Sequence, residues 1–227
     1  MPFSFLDPTM LLLVPVLILA IWAQIRVKST FKKFQKISSS RGMTGADAAR
    51  FILNQNGITD VEIESVAGEL SDHYDPRVKK VRLSENNFRG RSLSALAVAA
   101  HEVGHAIQHN VGYAPLQMRH TILPVTSIAS WAAFPLFLIG MFMNTPFLMD
   151  LGIVFFAAVV LFHLVTLPVE FNASTRALAQ LESNGLLVSQ EITGAKKVLN
   201  AAAMTYVAAA AMALMQLIRL LLIRGRD

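Results

Sequence analysis

The sequence predicts a mainly α-helical membrane protein, with about four transmembrane helices and a small α+β unit inserted between the first and the second. Composition is the first observation behind this prediction: 54% of the 227 residues are hydrophobic and 15% are charged. Soluble domains contain about 45–50% apolar residues and about 25% charged residues. The second is that the hydrophobic residues gather in four long segments. The third is that most charged residues lie between the first two of these segments. The same composition excludes disordered, fibrous and ordinary soluble proteins.

The four apolar segments cover residues 9–25, 121–143, 151–169 and 198–222, and each approaches the roughly 20 residues that a helix needs to cross a bilayer. The fourth is rich in alanine and contains Arg219. Because no basic residue precedes the first segment and no small-residue cleavage site follows it, we expect a retained transmembrane helix and not a cleaved signal peptide.

Basic residues indicate the orientation of these helices. Of the 20 Lys and Arg residues, 14 lie between Arg26 and Arg119, and none lies in the turn 144–150. Since loops rich in Lys and Arg stay on the cytoplasmic side, residues 26–120 and 170–197 are expected in the cytoplasm. The expected location is the cell membrane, with the lipid bilayer as partner. The net charge of +5 therefore indicates membrane topology, and no nucleic-acid partner is expected.

The charges at the end of the chain conflict with this scheme. A fourth crossing would place Arg224 and Arg226 outside. Either the other positive charges outweigh them, or the last apolar helix does not cross the membrane. The sequence leaves both interpretations open.

Four regions follow from this pattern. Residues 1–25 form an N-terminal transmembrane helix, and residues 26–120 form a cytoplasmic α+β segment. Residues 121–169 contain two transmembrane helices. Residues 170–227 contain a helix at the foot of the third span and the C-terminal apolar helix.

Local signals divide the α+β segment into helices and strands. A capping pattern that begins at Thr44 predicts a helix over 44–56. Alternating apolar and polar residues predict strands over 61–66 and 78–83, in a hairpin or a small sheet of two to three strands. An apolar run that ends in polar residues predicts a helix over 92–109.

The last of these helices carries the sequence HEVGH. His101 and His105 are four residues apart, so they lie on one face of the helix, about 6 Å apart along its axis. Because the chain contains no cysteine, a metal here needs His, Asp or Glu ligands. The H-E-x-x-H pattern is that of zinc hydrolases, in which the glutamate takes a proton from the metal-activated water. The sequence therefore predicts a Zn²⁺ site with Glu102 as general base.

A catalytic zinc site needs a third protein ligand. His109 lies about 12 Å from His101 along the same helix, so we assign it to a supporting or surface position. Glu170 is the better candidate, because a carboxylate at the foot of a membrane helix is costly unless something neutralises it; the alternative is a solvated interfacial glutamate. Ser174, one turn further on the same face, is placed to hold a ligand side chain. His163 shares this face if the helix is unbroken, and is either functional or hydrogen-bonded inside the bundle.

Four segments in order carry a resemblance to a known family: SDHYDPRVKKVRLS, HEVGH, PVEFNASTRAL and LNAAAMTYVAAA. On these the chain resembles the YugP-type neutral zinc metallopeptidases of bacterial membranes over nearly its whole length. It is more distantly similar to the HtpX-type heat-shock proteases and the CAAX prenyl-proteases, gluzincins in which HExxH is followed by a glutamate ligand in an E-x-x-A-D-like run. Here serine, Ser174, stands where the aspartate would. The resemblance implies a zincin-like inserted unit with the HExxH helix, Glu170 as zinc ligand and an active site facing the cytoplasm.

The resemblance also gives roles to residues outside the motif. An edge strand beside the metal-binding helix would pair with an extended substrate, and its residues would be Asp72, His73 and Tyr74. The alternative is a simple turn with Tyr74 packed beneath it. Stabilising an oxyanion opposite the metal needs a cation or a phenol, and the candidates are Arg176 and Tyr206. The alternative for Arg176 is a contact with lipid phosphate or an ion pair with Glu182.

These assignments predict an integral membrane zinc endopeptidase that acts on protein or peptide substrates. Metal-activated water attacks the peptide carbonyl, and Glu102 passes the proton to the leaving amine. A site-2-type intramembrane protease is one alternative, but it buries its motif in a span and takes an aspartate ligand; about nine apolar residues precede His101 here, and Asp150 is on the opposite face. A non-catalytic membrane metal-binding scaffold is the other, and it does not require Glu102.

Overall fold

The computed structural model describes residues 8–225 and is mainly helical. A short 3-10 turn over Pro8–Leu13 leads into the first helix. The described residues form seven α-helices: α1 (Val14–Gln35), α2 (Gly45–Gln55), α3 (Glu85–Phe88), α4 (Leu93–Asn110), α5 (Ala114–Phe142), α6 (Pro146–Ser183) and α7 (Ser189–Arg224). Three short strands lie between α2 and α3: β1 (Glu62–Val66), β2 (His73–Asp75) and β3 (Lys80–Ser84). The predicted helical class with a small sheet is confirmed.

Four helical stretches are long and apolar enough to cross a membrane: Pro8–Gln35, Ala114–Phe142, Pro146–Ser183 and Ser189–Arg224. They contain three of the four apolar segments in full and the other, 121–143, up to Phe142, so the prediction of four apolar helices is confirmed. Proline does not end these helices, because α5 continues through Pro124 and Pro135 and α6 through Pro168. As a result, Glu170 lies inside one continuous helix with the third apolar segment.

The chain forms two compact units. Among the described residues, the first combines 8–24 with Met118–Leu167 and 205–225; the second combines Ile25–Gln117 with Pro168–Met204. The four regions derived from charge and hydropathy divide the chain by a different criterion and stay a prediction.

In the first unit, glycines bring α5 and α6 into close contact. A Cβ atom on Gly152 would lie 2.7 Å from the carbonyl oxygen of Ala133, and one on Gly140 would lie 2.6 Å from the backbone nitrogen of Met149. Neither position has room for a side chain. Phe137, which is 1% exposed, lies in the apolar core of this unit.

Polar contacts at one end of the first unit bear on the crossing that the sequence left open. Nε of Arg224, at the end of α7, donates to Oδ1 of Asp150 at 2.8 Å. Asp150 lies near the beginning of α6. Nε of Arg219 donates to Oγ1 of Thr9 at 3.2 Å. The last turns of α7 therefore lie beside the start of α6, which favours a complete fourth crossing.

In the second unit, side-chain caps define where the helices begin. Oγ1 of Thr44 accepts from the backbone of Asp47 at 3.1 Å, and Oδ2 of Asp47 accepts from the backbone of Thr44 at 3.1 Å, which is the predicted capping box. Gly57, with a φ of +68°, follows the end of α2 in the left-handed region that glycine favours. Oγ of Ser92 accepts from the backbone of Ala95 at 3.2 Å and caps α4. Both helices predicted in this segment are confirmed.

The sheet of the second unit has the strand order β1-β3-β2. β1 pairs with β3 in parallel, whereas β2 pairs with β3 antiparallel. Alternation predicted two strands, now β1 and β3. The prediction that these two form a hairpin is wrong, and the prediction of a small three-stranded sheet is confirmed. The difference arises because β2 lies between the two strands in the chain and itself pairs antiparallel with β3. In the turn between β2 and β3, Oδ1 of Asp75 accepts from the backbone of Arg77 at 3.0 Å. Within the described residues, β2 is an edge strand.

Two single-cysteine variants test the arrangement at the end of the first unit. The chain contains no cysteine, so Asn144→Cys and Gly225→Cys each introduce one thiol. Because Arg224 contacts Asp150, we expect both thiols to react with a membrane-impermeant maleimide from the same side of sealed vesicles. The cysteine-free chain is the control. Labelling of the two variants from opposite sides would contradict a complete fourth crossing.

Candidate metal centre

Three side chains from two helices of the second unit converge at one point. α4 supplies His101 and His105, and α6 supplies Glu170. Their candidate ligand atoms all lie within 4.8 Å of one another. Nε2 of His101 is 3.3 Å and Nε2 of His105 is 3.6 Å from Oε2 of Glu170. The structure therefore brings together the three residues that the sequence proposed as zinc ligands.

The spacing of these atoms fits one cation better than it fits direct hydrogen bonds. Zn²⁺ bonds of about 2.0–2.2 Å to nitrogen and oxygen place the corners of a tetrahedron about 3.3–3.6 Å apart, and both measured separations fall in that range. An N–H···O hydrogen bond is usually about 2.7–3.2 Å long. The side chain of Glu170 is 3% exposed, and a carboxylate so buried needs a cationic partner. Two imidazoles and one carboxylate are ordinary zinc ligands, so the donor set fits this metal.

A glycine inside the HEVGH sequence allows the two helices to approach. A Cβ atom on Gly104 would lie 2.6 Å from the carbonyl oxygen of Ala173 in α6. Real Cβ atoms do not come this close to backbone, because hard-sphere repulsion forbids it. The absence of a side chain at Gly104 therefore sets the distance between His105, the next residue of α4, and the ligand carboxylate of Glu170.

The second ring nitrogen of each histidine contacts a polar side chain. Nδ1 of His101 lies 3.2 Å from Oγ of Ser174, and Nδ1 of His105 lies 3.0 Å from Oε1 of Gln108. Because an amide oxygen only accepts, Nδ1 of His105 carries the hydrogen, which leaves the lone pair on Nε2. Donation from Nδ1 of His101 to the hydroxyl of Ser174 gives that ring the same tautomer. Contacts of this kind orient metal-binding imidazoles.

Gln108 is a functional candidate that the sequence analysis missed. It is fully buried at 0% exposed. Its amide nitrogen donates to the carbonyl oxygen of Val169 at 2.8 Å and to Oδ1 of Asn172 at 3.0 Å. These two bonds fix the amide with its oxygen toward His105. The available signal was a polar residue three positions after a metal ligand on the same helix.

The remaining residues proposed around the metal lie in different places. Nε of Arg176 donates to Oδ1 of Asn172 at 2.7 Å, so this side chain supports the amide that holds Gln108. Tyr206 lies on α7 and His163 on α6, both in the first unit, and His163 is not a member of the three-residue cluster. The roles proposed for these residues in catalysis stay predictions.

The side chain of Glu102 is 8% exposed, and within the described residues no hydrogen bond or ion pair engages its carboxylate. Burial raises the pKa of this carboxyl group, while the neighbouring His101 and His105 act in the opposite direction. Burial alone would lower the pKa of His105, but the neighbouring carboxylate of Glu170 raises it overall. A carboxylate with a raised pKa and no protein partner is suited to accept and release a proton.

The three residues proposed for a substrate strand have distinct surroundings. The carboxylate of Asp72, just before β2, accepts from the backbone of Ser84 at 2.8 Å and from the amide of Asn87 at 2.9 Å. Asp72 therefore anchors its loop to the end of β3. His73 is exposed within β2. Its position on an edge strand is the one that the substrate proposal requires.

Tyr74 connects the edge strand to the metal-binding helix. Its hydroxyl lies 2.8 Å from Nδ1 of His109. Burial raises the pKa of Tyr74 to about 12, so the hydroxyl stays protonated and shares one hydrogen with the imidazole nitrogen. His109 thus supports β2, in agreement with its assignment outside the ligand set.

Four apolar helices and a buried cluster of two histidines and one glutamate define a multi-pass membrane protein with a candidate metal centre. The chain belongs to the family described as "Putative neutral zinc metallopeptidase", whose model matches residues 9–225. It is 52% identical over 211 residues to "Putative membrane protease YugP" of Bacillus subtilis (strain 168), which covers 92% of this chain and 94% of that protein. No solved structure matches the chain. The resemblance to the YugP-type metallopeptidases is confirmed.

A Gly104→Ala variant tests the helix contact behind the metal centre. Because the added methyl group meets backbone at 2.6 Å, α4 and α6 must separate, and we expect at least a tenfold loss of zinc affinity. Competition with a chromophoric chelator measures it. Gly194→Ala is the matched control, because its methyl group would meet only movable side-chain atoms of Leu93 and Phe34 at 2.9 Å. Equal zinc affinity in both variants would disprove the role of this contact.

A Gln108→Met variant tests the orientation of the second imidazole. Methionine has a similar size but cannot accept from Nδ1 of His105, so we expect zinc affinity to fall about 10- to 100-fold while all three ligands remain. Gln180→Met is the control, since Oε1 of Gln180 accepts from the Asn56 amide at 3.0 Å and not from a ligand. Unchanged affinity in Gln108→Met, measured by the same chelator competition, would contradict the prediction.

Proposed function

We propose that this chain is an integral membrane zinc endopeptidase that hydrolyses peptide bonds in protein or peptide substrates. One observation carries the proposal: His101, His105 and Glu170 form a compact donor set, and the unpaired carboxylate of Glu102 belongs to the same turn of α4 as the two imidazoles. A site that only stored a metal would not need this fourth group. Membership in a family described as neutral zinc metallopeptidases supports the same reaction class.

The residues of this chain divide the chemical work. His101, His105 and Glu170 would hold Zn²⁺, which when bound lowers the pKa of a coordinated water to about 7 and polarises a carbonyl group. Glu102 accepts a proton from the attacking water and delivers it to the nitrogen of the leaving amine. Ser174 and Gln108 keep the two imidazoles in the tautomer that leaves each Nε2 free.

The edge strand supports an extended substrate. Within the described residues β2 pairs only with β3, so its other edge offers backbone groups to a peptide. Because Tyr74 ties β2 to α4, a peptide paired with this edge runs alongside the helix that carries Glu102. An inserted unit of this kind, with an HExxH helix beside a substrate strand, is zincin-like.

The charge distribution supports a cytoplasmic active site. The second unit contains Ile25–Gln117, which includes most of the Lys and Arg residues of the chain, and such segments remain on the cytoplasmic side. We therefore propose a protein of the bacterial inner membrane with lipid as its surroundings and no nucleic-acid partner. The helix with the motif, α4, is not one of the four apolar stretches among the described residues, which disfavours a site-2-type protease.

Substitution of the two carboxylates tests the proposal. We expect Glu102→Gln to keep one zinc per chain and to lose at least 100-fold in cleavage of an unfolded reporter protein, because the ligands remain but the proton acceptor is gone. Glu170→Ala should lose both zinc and cleavage. Metal analysis and gel densitometry on the purified full chain measure the two properties.

Glu182→Gln is the matched control, since Glu182 is an exposed carboxylate on the same helix as Glu170. Full activity in Glu102→Gln would indicate a metal-binding scaffold or another base and would overturn the mechanism. Full zinc occupancy in Glu170→Ala would remove Glu170 from the ligand set. Sealed vesicles test the orientation separately: inside-out vesicles should cleave added reporter, and right-side-out vesicles should not.

A further inference from the structure

A cavity of about 220 Å³ lies in the second unit, outside the metal cluster. Its walls come from the metal-binding helix, from the edge strand and from the segment that leads into β1. No step of the proposed mechanism uses it. A cavity of about 150 Å³ is large enough for benzene, so this one accepts a large side chain.

The position of the cavity relates it to Glu102. Ala106 lines the cavity and follows Glu102 by four residues, so the two lie on the same face of α4, one turn or about 6 Å apart. Tyr74, on the edge strand, lines it as well. Along the axis of α4 the cavity is therefore offset from Glu102 by about two residues of an extended chain, which advances about 3.3 Å per residue.

The lining favours a side chain that is large and uncharged. Three lining residues, Ile58, Val61 and Ala106, are apolar, whereas Tyr74, His109 and Asn110 contribute polar groups. Asp60 and Lys79 also line the cavity, but they form an ion pair with each other, so their charges cancel. Nothing in this lining offers an unpaired charge to a charged substrate side chain.

The Tyr74–His109 pair gives the cavity a polar side. When the hydroxyl of Tyr74 donates to Nδ1 of His109, the hydrogen of the neutral imidazole is on Nε2. That group can donate to a hydroxyl or an amide oxygen of an occupant. An aromatic side chain with a polar end could then pack against the apolar residues and accept a hydrogen bond from His109.

We propose that this cavity is the main specificity pocket of the peptidase and receives a large uncharged substrate side chain within two residues of the scissile bond. The proposal rests on the proposed function, because it assigns the substrate preference of the same site. It makes Ala106 and Ile58 determinants of specificity, although neither takes part in the chemistry.

Two substitutions of opposite effect test the pocket in the zinc-loaded full chain. Ala106→Ile fills the cavity, and Ile58→Ala enlarges it. Cleavage of a peptide library is read by mass spectrometry as kcat/KM for Phe, Trp, Ala, Asp and Lys at each position around the cleaved bond. We expect the unmodified chain to prefer large uncharged residues at one position. Ala106→Ile should lower the Phe-to-Ala ratio there at least tenfold, whereas Ile58→Ala should raise the Trp-to-Phe ratio.

Ile52→Ala is the control, because Ile52 is fully buried in the same core but does not line the cavity. It should leave every ratio unchanged. Zinc content shows whether each variant keeps the fold of the metal centre. If Ala106→Ile loses zinc, the Trp-to-Phe ratio of Ile58→Ala decides whether the cavity is the pocket. Ratios that stay unchanged in the variants that retain zinc would overturn the pocket while leaving the peptidase intact.

Binding separates failure of the pocket from failure of the peptidase. Glu102→Gln keeps its metal and should bind fluorescent library peptides without cleaving them, with the same preference for Phe over Ala. If the unmodified chain cleaves nothing, the proposed function fails, and the pocket is judged on this binding alone. Equal affinity for Phe and Ala peptides would then overturn the pocket as well.

Discussion

The metal centre depends on one close approach between two helices. Gly104 of α4 lies against the backbone of Ala173 in α6, where a methyl group would come within 2.6 Å of a carbonyl oxygen. This contact sets the separation between the imidazoles of one helix and the carboxylate of the other. Helices with ordinary side chains at their contact pack about 8–10 Å apart. A site that needs ligand atoms about 3.3–3.6 Å apart across two helices tolerates little change in that distance.

The buried polar groups behind the ligands impose a second constraint. Gln108 is fully buried and uses its amide oxygen and nitrogen together, toward His105 on one side and toward Val169 and Asn172 on the other. A network of this kind specifies a single arrangement, because an unsatisfied polar group in a low-dielectric interior is costly. The same bonds that stabilise the contact between α4 and α6 also select the tautomer of His105. Helix packing and metal binding therefore require the same side-chain arrangement of Gln108 and its partners.

The sequence was sufficient for features that depend on neighbouring residues. The capping box at Thr44 and the spacing of His101 and His105 are local patterns, and each predicted the observed element. Glu170 could be proposed because a carboxylate in an apolar setting needs a partner. Gln108 and the cavity could not be predicted, since their meaning depends on which elements pack against α4. The pairing of β1 with β3 was missed for a related reason: alternation identifies strands but carries no information on strand direction.

Two carboxylates of the second unit illustrate how surroundings assign roles to identical chemical groups. Glu170 faces Nε2 of His101 and of His105, so a cation shared with those rings would neutralise it where it stands. Glu102 lies between the same two histidines in sequence, yet no protein group in the described part of the chain binds its carboxylate, and burial raises its pKa. A ligand must remain charged and fixed, whereas a proton acceptor must be able to change its charge. The helix that presents both histidines on one face turns Glu102 toward a different neighbourhood, and this difference in direction is enough to separate the ligand from the base.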